Sequence, residues 1–459
     1  MGGGLLQLVA YGAQDVYLTG NPQITFWKVV YRRYTNFAIE SIQQTFNGAA
    51  DFGKRVTCTI ARNGDLIYRV YLQVTLPDVV VPSSGYFKWV DHVGLALIDQ
   101  IDIEIGGQRI DKHYGQWMYI WNELSQSASK KDGYDAMIGN TTDLTMFTFA
   151  NGANMTMPGK TLYIPLEFWF CRNPGLALPL IALQYHEVRM NLQFANWSDV
   201  AVSYGIPIPQ VSLADASLYV DYVFLDTDER RRFAQASHEY LIEQLQFTGA
   251  ESIQGQVGAA NSSKIKLNFN HPCKEIIFVV QKDQYTSVTT THPQPEWFNF
   301  SDRSIFDNDV TYDAALGVNV PVAVAPTATV GTTTDWNYSA SGIPTQNNPV
   351  SMLGLQLNGH DRFSQREGNY FSWVQPYQHH ERVPITSPGI NVYSFALSPE
   401  EHQPSGTLNM SRIDTAVLML TLSSTYFTYG NTTCQVYVYA TNYNVLRIMS
   451  GMGGLAYSN

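Results

Sequence analysis

Two His-Glu pairs are the first candidates for chemistry in this chain: His238-Glu239 in HEYLIEQLQFTG (238–249) and His186-Glu187 in YHEVRMNLQF (185–194). A zinc protease needs two histidines four apart on one helix face, with the glutamate between them as base. Ile242 stands four residues after His238 and Met190 four after His186, so neither pair completes the site. A cupin-type centre needs His-x-His on one strand, where alternation points both rings to the same side. No His-x-His occurs. His379 and His380 are adjacent, so a strand would aim them at opposite faces, and in a loop they are expected to be solvated.

Other motifs fail on spacing or context. GANMTMPGKT (152–161) has six residues between Gly152 and Gly159, where a phosphate loop needs four and a following helix. GMGGLA (451–456) fits G-x-G-x-x-A but leaves no room for a βαβ unit, and it reads as a flexible tail that packs on assembly. No G-x-S-x-G elbow is present. The four cysteines, Cys58, Cys171, Cys273 and Cys434, form no CxxC pair and read as reduced core thiols. No catalytic residue, cofactor-binding residue or metal ligand is therefore assigned.

Two basic clusters remain: Lys28, Arg32 and Arg33 among aromatics, and Arg230, Arg231 and Arg232. With a net charge of −11 the chain lacks the broad basic face that nucleic-acid affinity requires. No direct nucleic-acid binding is expected. The arginines read as partners in inter-domain or inter-subunit ion pairs, for which their forked geometry is suited. Charged residues make up only 15% of the chain, against about 25% in an ordinary soluble protein. With 28 Tyr, 22 Phe and 9 Trp, that composition suits a surface covered by permanent partners.

The N-terminal MGGGLLQLVAYG has no basic start and too short an apolar run for a secretory leader, and Leu6 breaks a myristoylation motif. The apolar run GLALPLIAL (175–183) is interrupted by Pro179 and falls short of the roughly 20 residues a membrane helix needs. Eight Asn-x-Ser/Thr sequons, among them Asn140, Asn154, Asn196 and Asn337, read as chance in a chain without such a leader.

The elements that would hold any site are short strands. FAIESIQQTF (37–46), RVTCTIAR (55–62), LIYRVYLQVTLP (66–77), LIDQIDIEI (97–105), QRIDKHY, LYIPLEFWF (162–170), YHEVRMNLQF and SLYVDYVFLD (217–226) alternate or bunch as strands do. Gly106-Gly107 marks a hairpin turn. Helical signals are confined to 115–131 and to 226–235, the latter capped by Asp226 or Thr227. Eight strands in some 200 residues predict a jelly roll.

The pattern then recurs. Ile39 aligns with Ile242 (242 − 39 = 203), Gly107 with Gly359 (252), Leu180 with Leu408 (228) and Leu218 with Val436 (218), all in order. Four ordered matches indicate a duplicated domain. HEYLIEQLQFTG is thus the first strand of a second copy. The changing offsets place insertions near 125–160 and 284–350, expected to stand as tower-like surface loops. The fold class expected is all-β: two tandem eight-stranded jelly rolls with long loops and few short helices. The divisions expected are an N-terminal segment 1–25, roll 1 at 26–225, a linker 226–237, roll 2 at 238–448 and a tail 449–459.

LLQLVAYGAQDVYLTGNPQITFWKVVYRRYTNFAIESIQQ, IGGQRIDKHY, PGLALPLIALQYHEV, YLIEQLQFTG and NYNVLRIMSGMGGLAYSN resemble the major capsid proteins of the nucleocytoplasmic large DNA viruses, most of all the chlorovirus type, with marseillevirus, mimivirus and iridovirus relatives. The resemblance runs from residue 5 to the end and thins at 78–96, 125–160 and 284–350. It implies a structural protein and not an enzyme. It implies a homotrimer forming a pseudo-hexagonal capsomer, neighbouring capsomers tiling an icosahedral shell, minor capsid proteins, an internal membrane beneath the shell, and residues 1–25 at the capsomer base. It also implies synthesis in the host cytoplasm. The alternative weighed beside it is a carbohydrate-binding jelly-roll protein acting in host attachment.

Overall fold

The computed structural model describes residues 3–27, 29–83, 85–149, 154–287, 295–302, 304, 310–313, 318–321, 347–424, 426–427 and 432–457. Two compact units divide the chain, Met1–Phe37 and Ala38–Asn459. The first carries two short helices, Gly3–Val9 and Asp15–Thr19, neither with a buried residue. Gly12 N donates to Asp15 Oδ2 at 2.7 Å between them.

Among the described strands, two sets of eight build the two rolls. The first set is β1 (Phe37–Gln44), β2 (Arg55–Thr59), β3 (Leu66–Thr75), β4 (Ile98–Ile105), β5 (Gln108–Tyr114), β6 (Thr161–Pro165), β7 (Val188–Phe194) and β8 (Asp215–Leu225). The second is β9 (His238–Gln254), β10 (Asn261–Leu267), β11 (Pro272–Lys282), β12 (Val350–Leu357), β13 (His360–Glu367), β14 (Asn391–Ser394), β15 (Ala416–Leu422) and β16 (Thr433–Met449). Roll 1 pairs them as β1-β8-β3-β6 and β2-β7-β4-β5; roll 2 repeats this as β9-β16-β11-β14 and β10-β15-β12-β13. Two facing four-stranded sheets in this order make a jelly roll. The double jelly roll predicted from the repeats is what the chain adopts.

The strands form because β-branched and aromatic residues alternate across the pleat. In β3, Val70, Leu72 and Val74 point into the core while Tyr71, Gln73 and Thr75 stay half-exposed. Register is pinned by turns that demand positive φ. Gly106 and Gly107 (φ 58° and 83°) close the β4–β5 hairpin, and Asn358 and Gly359 (49° and 81°) close β12–β13 in the same way.

A shared irregularity fixes how the rolls correspond. Ile67 pairs with Tyr222 and Arg69 with Asp221, leaving Tyr68 as a bulge. In roll 2, Cys273 pairs with Asn442 and Glu275 with Thr441, leaving Lys274 as the bulge. Superposing the bulges gives offsets of 274 − 68 = 206 for β3/β11 and 442 − 222 = 220 for β8/β16. The sequence matches at Leu180/Leu408 and Leu218/Val436 are therefore each two residues out, since Leu178 and Leu408 occupy the equivalent ladder positions (408 − 178 = 230). A slip of two keeps every side chain on its own face, so the apolar pattern cannot detect it.

Other expectations need correction. LYIPLEFWF ends as a strand at Pro165 and turns into a helical segment, Trp169–Arg172. The insertion near 125–160 is not a free-standing tower throughout: it contains helix Lys131–Ile138, and Ile138 and Leu144 are buried in the core of roll 1. Most of the insertion near 284–350 lies outside the described residues. The tail is not loose: Met452–Leu455 forms β17, hydrogen-bonded along β16 from Leu446 to Met449. Helices appear where the sequence placed them as α1 (Gly115–Ser125) and α3 (Thr227–Gln235), the latter with Asp226 as N-cap, whereas α2 (Lys131–Ile138) falls where a loop was expected. A further helix, α4 (Gln375–His379), continues a π-helical turn, Tyr370–Val374.

Candidate assembly surfaces

Roll 2 is held against roll 1 by two kinds of contact. At one strand edge, Leu245 N in β9 donates to Asp111 Oδ1 of β5 at 3.0 Å, and Gln244 donates to the carbonyl of Ile110. The tail strand β17 adds to this edge: Leu455 N reaches Gln108 Oε1 at 3.2 Å, and His186 Nδ1 lies 2.9 Å from the Gly453 carbonyl. Alongside, α1 of roll 1 lies on the outer face of the β9-β16-β11-β14 sheet. The Trp117 ring sits 5.3 Å from that of Tyr439, whose hydroxyl donates to Gln116 at 2.6 Å. Ile277, Val279, Val392 and Tyr439 of roll 2 consequently join the core of roll 1.

Buried ion pairs cross or flank this contact. Arg172 of roll 1 meets Glu243 of β9 at 3.0 Å, and Lys274 meets the other oxygen of Glu243 at 2.9 Å. Lys274 is the bulge residue of β11, so the irregularity swings its ammonium toward that carboxylate and the Pro399 carbonyl, 2.7 Å away. Glu123 of α1 accepts from Lys131 at 2.7 Å and meets Arg382 of roll 2. Burial pushes the Glu123 carboxyl up, but Lys131 and Arg382 outweigh it and hold the group below its ordinary value.

Of the adjacent histidines, His379 stays partly open to solvent and only His380 departs from expectation. His380 is not solvated: its ring is fully buried, 2.9 Å from Glu275 and 2.7 Å from Glu400. The Glu400 contact is aligned as a hydrogen bond, whereas the Glu275 contact is close but bent out of alignment. Burial works against the charged ring, yet the two carboxylates prevail and raise its pKa to about 9. Of the basic clusters, Arg230 does make a cross-element pair, gripping Asp65 at 3.0 Å from α3. Arg32 and Arg33 lie in the exposed first unit, and Lys28 is outside the described residues.

Among the large apolar side chains exposed in the described residues, three groups stand out. The first unit is the densest: Leu8, Tyr17, Leu18, Ile24, Phe26, Trp27 and Tyr31 are all largely open. On roll 2, Trp373 and Tyr377 project from the π turn and α4, with Leu397 beyond them. On the outer face of roll 1, Tyr71 stacks on Tyr219 with centroids 5.1 Å apart, and exposed Tyr163 leans on Tyr71 at 6.3 Å.

Residues 25–226 match the family described as major capsid protein N-terminus, and residues 229–454 match the large eukaryotic DNA virus major capsid protein. The chain belongs to the major capsid proteins of the large eukaryotic DNA viruses. Among relatives in this capsid family, the major capsid protein of Phaeocystis pouchetii virus is 54% identical with both chains covered in full. That of Paramecium bursaria Chlorella virus 1 is 43% identical, again over 100% of each chain, so the chlorovirus type is not the most similar relative. The crystal structure of PBCV-1 VP54, fitted into a reconstruction of the virophage Sputnik, superposes with a TM-score of 0.72 at 38% identity, covering 95% of this chain and 100% of that one. The Faustovirus major capsid protein shares the fold, with a TM-score of 0.70 at 14% identity over 96% of this chain and 94% of its own.

Membership in the capsid family makes this a structural protein and not an enzyme. It decides between the two readings weighed from the sequence in favour of the shell. Among the described residues no group of three or more His, Cys, Asp or Glu is placed to hold a metal ion. Cys58, Cys171, Cys273 and Cys434 are free and buried, and burial raises each thiol well above its usual range. His238 and His186 serve packing: His238 Nε2 lies 2.8 Å from the Phe233 carbonyl, and His186 anchors the tail. The buried Glu275–His380–Glu400 group escaped sequence reasoning because its members come from strand, helix end and loop. The Arg230–Arg232 cluster did give advance notice of an inter-element ion pair, the one Arg230 makes with Asp65.

Proposed function

We propose that three copies of this chain associate into a pseudo-hexagonal capsomer, and that capsomers tile an icosahedral virus shell. The observation that carries this reading is the identical strand order of the two rolls. Three chains of two like rolls present six like edges, so one gene product can fill a near-hexagonal lattice. One solved relative, 38% identical with a TM-score of 0.71, belongs to the PBCV-1 virus capsid. In this reading roll 1 spans 26–225 and roll 2 spans 238–448, with the linker 226–237 between them and the tail 449–459 after them. Residues 1–25 lie at the capsomer base, facing minor capsid proteins and an internal membrane beneath the shell. The chain is made in the host cytoplasm and works without a cofactor or direct nucleic-acid contact.

Burial drives the assembly. Obligate interfaces commonly cover about 2,000–5,000 Å². At about 25 cal/mol/Å² that is tens of kcal/mol before the entropy of association is subtracted. Sedimentation of the purified chain tests the reading. Three chains of 51.5 kDa should sediment as one species of about 155 kDa (3 × 51.5). A species that stays at one chain's mass at micromolar concentration overturns it.

A further inference from the structure

The contact between the rolls has two sides, and each roll carries a counterpart of the side it does not use. Within the chain, α1 is the covering side. Gly115 at its start corresponds to Gly368, each following the edge strand of its roll, an offset of 368 − 115 = 253. Gln116 and Trp117 then correspond to Asn369 and Tyr370, and Trp121 to Val374. The covered side is the outer face of β9-β16-β11-β14. Its Tyr439 and Ile277 correspond to Tyr219 (439 − 220) and Tyr71 (277 − 206) on roll 1. Pro165 and Val392 sit opposite Tyr71 and Ile277, so Tyr163 corresponds to Ile390.

Exposure follows this correspondence. In roll 1, Trp117, Ile120 and Trp121 of α1 are buried, Trp117 against Tyr439 of roll 2, whereas on roll 2 Trp373 and Tyr377 are 56% and 80% exposed. Both faces of β11 are buried from Cys273 onward, whereas the outer residues of β3 stay half-open. One chain therefore displays an uncovered aromatic helix on roll 2 and an uncovered tyrosine face on roll 1. The same pair of surfaces is already joined once, in the interior.

We propose that the helical segment 369–379 of roll 2 docks on the Tyr71–Tyr163–Tyr219 face of roll 1 in a second copy of this chain, repeating between chains the contact that α1 makes within one. The inference rests on the trimer reading and names its interface. The contact is head-to-tail, which closes into a ring when the rotation between copies permits and otherwise runs on as a filament. Both surfaces carry aromatic rings with little charge, as the centre of a permanent interface does. A second copy is the occupant favoured because both halves of the match lie on one chain and their fit is displayed inside it.

The test copies the internal pair. Gln116 and Tyr439 touch at 2.6 Å, so Asn369→Cys and Tyr219→Cys are introduced together in the full chain. The four native cysteines are buried. Mild oxidation should give covalent species of two and three chains on a non-reducing gel for the double variant, and neither single variant should give three. In parallel, Trp373→Glu with Tyr377→Glu should lower the sedimenting mass from about 155 kDa to 51.5 kDa while the chain keeps its native β circular dichroism at room temperature. Its melting point should fall, because the stabilisation that association gives the folded chain is lost. A trimer that forms no cross-link and ignores the glutamates overturns the interface alone. A wild-type chain that sediments as a monomer overturns the trimer reading and the interface with it.

Discussion

His380 shows how a single side chain ties loop to strand in roll 2. Its imidazolium sits out of water between Glu275 and Glu400, and its pKa is raised to about 9. An unfolded histidine titrates near 6.5. The folded value is the higher one, so the stabilisation is complete below about pH 6.5, declines as the pH climbs, and is gone above about 9. The shift corresponds to about 3 kcal/mol. His380→Gln removes the charge at every pH and leaves Glu275 buried beside Lys274. The stability gap between wild type and H380Q, from urea unfolding, should therefore shrink by about 3 kcal/mol between pH 6 and pH 9.5. A gap of constant size would show that the ring is not charged in the folded chain. Sequence could not reveal this group. Two neighbouring histidines look like loop residues until the fold brings Glu275 from β11 and Glu400 from a loop to the same ring. Asp226 was legible for the opposite reason, since a cap acts within its own turn of chain.

At the scale of elements, turns and bulges set the register and the apolar pattern does not. The Gly106-Gly107 hairpin was visible in the sequence because only such pairs accept two positive φ angles. Its two glycines have different duties. A Cβ on Gly107 would meet nothing within 4 Å, so Gly107→Ala carries only backbone strain, about 1–2 kcal/mol. A Cβ on Gly106 would lie 2.3 Å from His186 Nδ1, the atom that contacts the tail at Gly453. Gly106→Ala should therefore cost more than Gly107→Ala and should also free the tail. Chemical denaturation gives the first comparison, and proteolysis near residue 451 gives the second. Equal stability losses with the tail protected in both variants would contradict this. The bulges at Tyr68 and Lys274 were illegible by contrast. A bulge adds one residue without changing composition, and the resulting two-residue error in alignment left every inward residue pointing inward. The tail was misread as flexible, whereas Gly453 in β17 and Gly451 just before it lack the Cβ that would meet Leu183 and Tyr185, and so let the segment lie close.

For the molecule as a whole, the low charge content and the open aromatic surfaces belong together. Charge was legible from composition, but which faces were left bare depended on which roll covered which, and that needs the fold. The first unit is the extreme case. From Leu5 to Phe37 its large apolar residues are exposed, and neither of its helices buries a residue. Such a segment adds nothing to a core and gains stability only from something outside it. Ala38–Asn459 contains both rolls and both hydrophobic cores. Removing residues 1–36 should therefore leave the melting temperature of the rolls within a degree or two of the full chain. The interface inferred above uses only residues beyond 36, so the truncated chain should still sediment as three copies, near 140–145 kDa by roughly 0.11 kDa per residue removed from 155. What should be lost is assembly beyond the trimer, read as the disappearance of larger particles by light scattering under conditions where the full chain forms them. If the truncated chain unfolds early, the first unit is part of the fold after all. If it forms shells as readily as the full chain, its apolar surface has no part in joining capsomers.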